Sequence, residues 1–316
     1  MAWRNSSDVT EFILLGFSDL LQLQLLLFLV FAIMYIVTLL GNITIILLTI
    51  TDPALQNPMY FFLRNLSFLE ICFTLVIVPQ MLVNLLSENK TISFPGCVMQ
   101  MYFFFFFGSS ECFLLASMAY DRYIAICRPL HYTVIMKKRF CIHLALFSWC
   151  SGIPVGTVQT TWLFSFPFCG PNKVNHFFCD SPPVLKLVCA DTYLFELYAV
   201  TGTIVIVLSP FILILVSYVY IITTILRMPS AEGRHKAFST CSSHLVVATL
   251  FYGTAGLTYF RPKSSYSPNT QKLLSLSYTV VTPMLNPIIY SLRNKEVKEA
   301  MKRLLKNAVF VETDKC

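Results

Sequence analysis

Seven apolar runs, each long enough to cross a bilayer, fill most of this chain and decide what it can fold into. They lie near Leu25–Ile50, Pro58–Leu86, Cys97–Cys127, Cys141–Phe164, Phe195–Leu226, Ala237–Phe260 and Lys272–Leu292. A hydrocarbon core about 30 Å thick takes roughly 20 helical residues to span. Lipid offers no hydrogen-bond partners, so each run must satisfy its own backbone as a helix. The expected fold class is an all-α membrane protein, a seven-transmembrane-helix bundle. Composition agrees. Of 316 residues, 56% are hydrophobic and 12% charged, against about 25% charged in a soluble domain. A soluble fold built from these runs would have no residues left for a polar surface.

Local signals refine the bundle. Asn57-Pro58 reads as a helix start, with Asn as cap and Pro in the first turn. Pro79, Pro154, Pro210, Pro283 and Pro287 fall inside runs, where neighbouring helices can satisfy the carbonyls they free. Residues 1–24 carry one basic residue, Arg4, and a short apolar piece, Phe12–Phe17. They read as an extracellular segment and not as a cleaved signal. Residues 25–292 form the helical domain and 293–316 a cytoplasmic tail. From Arg293 to Lys306 the tail alternates basic and apolar residues, the pattern of a short amphipathic eighth helix on the membrane.

Lys and Arg set the orientation. Arg4, Lys90, Lys173, Lys186, Arg261, Lys263 and Lys272 fall on one side and the rest of the 23 on the other. The richer side is cytoplasmic, so the N-terminus is extracellular and the expected location is the plasma membrane. The net charge of +7 is explained by lipid-facing topology without nucleic acid. Two sequons, at Asn5 and Asn89, then lie outside as candidate glycosylation sites. Cys97, Cys169, Cys179 and Cys189 share the outer side, where disulfides form. Four cysteines allow three pairings, and spacing alone does not choose. A metal reading of the loop cysteines with His176 has spacing wider than a zinc knuckle.

The third run ends in Met118-Ala119-Tyr120-Asp121-Arg122-Tyr123-Ile124-Ala125-Ile126-Cys127. An Asp-Arg pair at the mouth of a membrane helix is costly unless it does something. This stretch resembles the Asp-Arg-Tyr element of rhodopsin-like G-protein-coupled receptors, in the form carried by olfactory receptors. Further matches are Leu40–Asn42, Pro58–Leu63, Ser217-Tyr218, Lys236–Leu245, Phe251–Thr254 and Pro283–Tyr290. They cover nearly the whole chain and look like the terrestrial-vertebrate class. The stretches Phe61–Ile71 and Met228–Gly233 resemble its family 10, subfamily A.

The resemblance implies a receptor, not an enzyme, that binds a small volatile odorant and activates a stimulatory heterotrimeric G protein to raise cyclic AMP. It implies the bridges Cys97–Cys179 and Cys169–Cys189. Helix phase and the family pattern turn Phe104, Phe105, Gly108 and Ser109 toward a ligand cavity. The matched wall adds Gly202, Thr203, Ile206, Tyr252, Ala255 and Tyr259, with Ser181 as a lid. Amine receptors carry an Asp where this chain has Phe104, and opsins a Lys in the seventh span, where Leu273–Leu292 has none. A neutral ligand is the expectation. The implied switch has Arg122 held by Asp121 and released to meet Tyr218 and Tyr290, with Tyr252 at the pocket floor and Asn286-Pro287 as the kink.

Two acids lie deep inside spans, Glu70 and Glu111. In the receptor fold they approach one another near Asn42, Ser67 and Asn286. Two carboxylates in one dry site require a cation or a shared proton. They are a candidate Na⁺ site, or else two protonated, hydrogen-bonded acids. The same pair suggests the alternative function, a transporter relaying protons. An odd span count and the lack of an inverted repeat stand against it.

Overall fold

The computed structural model describes residues 9–259, 268–294 and 296–304. Seven long helices follow one another, and they are the seven spans. Six are long and apolar enough to cross a membrane: Gln24–Thr51, Pro58–Leu86, Phe94–Cys127, Lys138–Phe164, Tyr193–Leu226 and Asn269–Ser291. The sixth span, Ala231–Tyr259, falls short of that apolarity because even its uncharged part, 242–259, is rich in Ser, Thr, Gly and Tyr and carries His244.

Helix starts follow from capping chemistry. The Asn57 side chain accepts from the Tyr60 amide at 3.3 Å, with Pro58 in the first turn. Ser93 accepts from the Gly96 amide at 3.1 Å, with Pro95 just inside. That cap starts the third span at Phe94, ahead of the expected Cys97. A side-chain oxygen here replaces a bond that the first turn cannot make for itself.

The bundle is apolar outside as well as inside. Leu25, Ile33 and Leu40 of the first span face outward, while Thr38 and Asn42 of the same helix are buried. With lipid as apolar as leucine, helices associate through close packing and hydrogen bonds. Spans three and four show how close. Ser148, Gly152 and Gly156 repeat every fourth residue on one face of span four. A Cβ at Gly152 would run into the Phe106 carbonyl, and one at Gly156 would sit 2.9 Å from the Tyr102 carbonyl. Ser110 donates across to the Trp149 carbonyl at 3.3 Å, and Ser117 and Ser148 meet at 3.4 Å.

Two spans contain a widened π-helical turn, Ile204–Leu208 in the fifth and Ser277–Val281 in the seventh. Each is followed two residues later by proline, Pro210 and Pro283. A helical proline has no N–H and clashes with the carbonyl four residues back, here that of Ile206 or Thr279. Widening the turn relieves the clash. The residue just before each proline adds a side-chain bond to the carbonyl its own amide already meets: Ser209 donates to Val205 O at 2.6 Å and Thr282 to Ser277 O at 2.9 Å.

One end of the bundle, called outer below, carries both disulfides, Cys97–Cys179 and Cys169–Cys189. It also carries an element beyond the all-helical expectation, a small sheet. β1 (Glu11–Leu14) lies between β2 (Thr91–Ser93), antiparallel to it, and β3 (Lys173–Val174), parallel to it. At the inner end, residues 296–304 form the eighth helix. It is fixed to the bundle by the Tyr60 hydroxyl, which donates to Glu296 at 2.7 Å, and by Arg303, which grips Asp52 through two nitrogens at 2.9 and 2.7 Å.

The glycine face yields a paired prediction. Gly152→Ala overpacks the third and fourth spans and costs about 1–3 kcal/mol. Gly108→Ala meets open space, with no atom within 4 Å of the new carbon, and leaves stability unchanged or raised by up to about 1 kcal/mol. Thermal unfolding of the two purified variants checks the contrast.

Candidate functional site

The outer half of the bundle encloses a cavity of about 170 Å³. Phe104, Phe105, Gly108 and Ser109 of span three reach its wall, as do Ser181, Gly202, Thr203, Ile206 and Ala255. Tyr252 stands elsewhere. It lies below the cavity, its hydroxyl donating to the Cys112 carbonyl at 2.7 Å and its ring against Phe211. The Tyr259 side chain lies outside the described residues. The wall also takes residues that no motif pointed to: Phe73 of span two, Val155 and Gln159 of span four, Tyr198 and Ala199 of span five, and Tyr278 of span seven. Gln159 had a readable signal, a polar amide in an apolar run. The others are apolar or aromatic residues among many of their kind.

Most of the wall is apolar, and its polar groups are few. Gln159 donates to the Ser181 hydroxyl at 2.9 Å. The Thr203 hydroxyl spends its proton on the Ala199 carbonyl at 2.7 Å, so it offers the cavity an acceptor only. Phe104 is held by Phe73 at 5.7 Å, Phe178 at 5.0 Å and Tyr278 at 6.0 Å between ring centroids. Interlocked rings of this kind fix the shape of the site.

The outer loop roofs the cavity. Gln100 accepts from the Cys179 amide at 2.8 Å and donates to the Val76 carbonyl at 2.9 Å, tying the bridged loop to spans two and three. His176 stacks on Phe177 and meets Ser275 of the seventh span at 3.2 Å. Burial, helped by the charge of Lys272, pushes the His176 imidazole down to about 3, so it is neutral at physiological pH. Asp180 caps the helix Ser181–Leu185 through the Ser181 amide at 2.8 Å, and its other carboxyl oxygen is buried without a partner among the described residues. Burial pushes this carboxyl up to about 7.

Beneath the cavity lies a polar cluster. Asn286 donates to Glu70, and Glu111 is near enough for its charge to act on Glu70. The second Glu70 oxygen and the amide oxygens of Asn42 and Asn286 are buried without partners among the described residues. Unfilled oxygen acceptors beside two carboxyls fit a hard cation such as Na⁺, which takes oxygen ligands. No group of three or more His, Cys, Asp or Glu side chains able to hold a metal occurs among the described residues. Any cation here would rest on amide oxygens as much as on carboxylates. Pro287 packs on Gly41, where a Cβ would come within 2.9 Å of its ring.

At the inner end the expected Asp121–Arg122 lock is absent among the described residues. Asp121 instead accepts from the Tyr132 hydroxyl at 2.9 Å. Adjacent helical residues point about 100° apart, so the two side chains leave the helix in different directions. Arg122 stays inside the bundle, its charge reaching Tyr218 and Tyr290. Tyr218 donates toward His244 Nδ1 at 2.8 Å and lies 3.0 Å from the Cys241 carbonyl, while the buried Tyr290 hydroxyl has no partner among the described residues. Asn89 is exposed in the loop after span two, and Asn5 lies outside the described residues.

Asp180 generates a pH prediction. Its folded value lies above the ordinary carboxylate value, so it stabilises the fold at low pH. That contribution falls as pH rises from about 4 to about 7 and stays lost above. Asp180→Asn should remove this component of the slope, as measured by hydrogen exchange in the outer loop between pH 4 and pH 8.

Comparison with known proteins agrees with the geometry. Residues 31–308 match the family described as Olfactory receptor. Human Olfactory receptor 10A5 is 68% identical over 304 residues, 96% of each chain. Human Olfactory receptor 10A7 is 62% identical over 314 residues, 99% of each chain. Human Olfactory receptor 10A4 is 68% identical over 306 residues, 96% of this chain and 97% of that one.

Proposed function

The chain belongs to the olfactory receptor family, and on that premise we propose that it binds a small neutral volatile in the outer cavity and activates a stimulatory heterotrimeric G protein, raising cyclic AMP. The observation that carries the ligand reading is the cavity, where residues from six spans and the roofing loop converge on an apolar space. Such a site suits an apolar molecule with one weakly polar group. Phe104 stands where a counter-ion for an amine would be needed. Membership of a receptor family also sets the chain apart from enzymes.

The ligand acts by differential affinity, shifting the bundle toward the conformation it binds better. Tyr252 is positioned to relay that preference. Its partner carbonyl belongs to Cys112, a wall residue, so a displaced wall pulls on span six. Span six carries His244, which joins Tyr218 near Arg122. Opening the inner end would expose Arg122 to the G protein. The proposed orientation places the disulfide end outside the plasma membrane and the eighth helix in the cytoplasm, with Asn5 and the exposed Asn89 available to glycosylation. Membership of the olfactory receptor family speaks against the transporter alternative.

A cyclic AMP reporter in cells expressing the chain, screened with neutral volatiles, amines and acids, tests this reading. Neutral volatiles should act, and Arg122→Ala should abolish the response while surface display persists. An undiminished response in Arg122→Ala would defeat the switch.

The polar cluster would hold Na⁺ between Glu70 and Glu111, with Asn42 and Asn286 completing its oxygens. A resident cation would stabilise the conformation that encloses it. Replacing Na⁺ by choline should shift the agonist midpoint of the wild-type chain, and Glu111→Gln should remove that shift. Insensitivity of the wild type, with Glu111→Gln unchanged, would leave two protonated acids as the better description.

A further inference from the structure

The cavity is closed on the side from which a dissolved ligand would come. Its roof is Ser181 and the half-buried Pro182 of the outer loop, backed by Phe178, which packs on Phe104, with Phe177 and His176 beside it, these three fully buried. Over them lies the N-terminal segment. Gly16 donates to the His176 carbonyl at 3.0 Å, Phe17 stacks on Phe177 at 5.6 Å, and β1 is stitched to both neighbouring strands. Reaching the cavity from above would require peeling the sheet from the bundle.

The side wall is uneven. Phe104, Ser109, Phe251 and Ala255 line the cavity and are nonetheless buried. Phe105 and Gly108 of span three line it too and are half-buried. Val155, Tyr198, Ala199 and Gly202 line the same space and remain half-buried. Exposed neighbours on the same two helices, Val158, Leu197 and Val200, put the lipid on their other side. All four belong to the seam between spans four and five. The seam toward span six is shut by Phe251 and Ala255. A side chain at Gly202 would meet no atom within 4 Å, so no atom of span four closes on it there. Its outer edge is closed by Trp162 against Tyr198, 5.3 Å between centroids. Val158 lies between Val155 and Trp162 on that helical face, is 39% exposed, and is not on the cavity wall.

The geometry points to a lateral portal: the odorant enters and leaves the cavity from the bilayer, between spans four and five at Val155, Val158, Ala199 and Gly202. This deepens the receptor reading and rests on it. The ligands it favours are those that partition into lipid, where an apolar volatile concentrates before it binds. A portal residue that does not touch the bound molecule governs both rates equally and leaves the equilibrium constant alone.

The test uses the whole chain in lipid nanodiscs and 1-aminoanthracene, a neutral fluorescent probe, in stopped flow. Val158→Trp plugs the seam. Its association and dissociation rates should both fall about tenfold with Kd within about twofold. A second variant locks the roof. Glu11 and Ser93 are exposed partners in the sheet register. They form a non-hydrogen-bonded pair, because Phe94 donates to the Thr10 carbonyl and Leu14 to the Lys90 carbonyl on either side. Such pairs stand about 4.5 Å apart at Cα, within disulfide reach of about 4.4–6.8 Å. Oxidised Glu11→Cys/Ser93→Cys should bind the probe at wild-type rates. Unchanged rates in Val158→Trp, or slow rates in the oxidised staple that recover on reduction, would overturn the portal. If Val158→Trp fails to fold, the staple alone decides. A wild-type chain with no saturable probe binding would defeat the cavity reading itself, before any rate is compared.

Discussion

Lipid cannot hydrogen-bond, and that single fact organises this molecule. Every polar atom within the membrane must find a partner in its own helix or turn toward the bundle axis. Serines and threonines on the lipid side return their protons to the preceding turn, as Thr44 does to Leu40 and Thr223 to Val219. The groups that face inward collect along the axis: Asn42, Ser67, Glu70, Glu111 and Asn286 are all buried. Above that cluster the axis is aromatic and leaves a cavity. Below it lies Arg122, permanently charged and enclosed by tyrosines. Ligand space, polar core and coupling end are three consequences of one solvent.

Contacts between helices follow the same constraint. Without a hydrophobic drive between them, helices gain from close approach, and small residues permit it. The glycines of span four bring its backbone against span three, placing Phe103–Phe107 at fixed positions around the third helix. Ring contacts then decide which of these face inward. Phe104 meets Phe178 and Tyr278 in the interior, while Phe106 packs on Trp149. A run of five identical residues thus divides into wall and packing by helix phase and the rings each position meets.

Much of this was legible in the sequence, and the failures have physical causes. Apolar runs are long signals, so all seven spans could be placed, several of them to within a residue or two. The outer sheet was not legible, because strands of two to four residues leave no periodicity to read. Span-three positions such as Phe104 and Gly108 could be placed on one side of the helix by phase. Val155 and Tyr198 could not, since an apolar residue facing a cavity is indistinguishable from one facing lipid. The Asp121–Arg122 contact was expected from adjacency in sequence, and helical geometry separates neighbours. The partner that Asp121 takes, Tyr132, belongs to the following loop, whose fold no local pattern announced.

The π turns before Pro210 and Pro283 carry an implication for how such chains diversify. Each turn holds one residue more than an ordinary helix would, so the segment on its outer side is rotated by about 100° relative to the segment on its inner side. The fifth and seventh helices are therefore two shafts joined by an adjustable coupling. Inserting or deleting a single residue in the coupling would re-aim the whole outer shaft, exchanging which side chains confront the cavity. The inner shaft, with Tyr218 or Tyr290, would keep its alignment. A lineage of receptors can in this way acquire a new ligand wall in one step, without relearning how to signal.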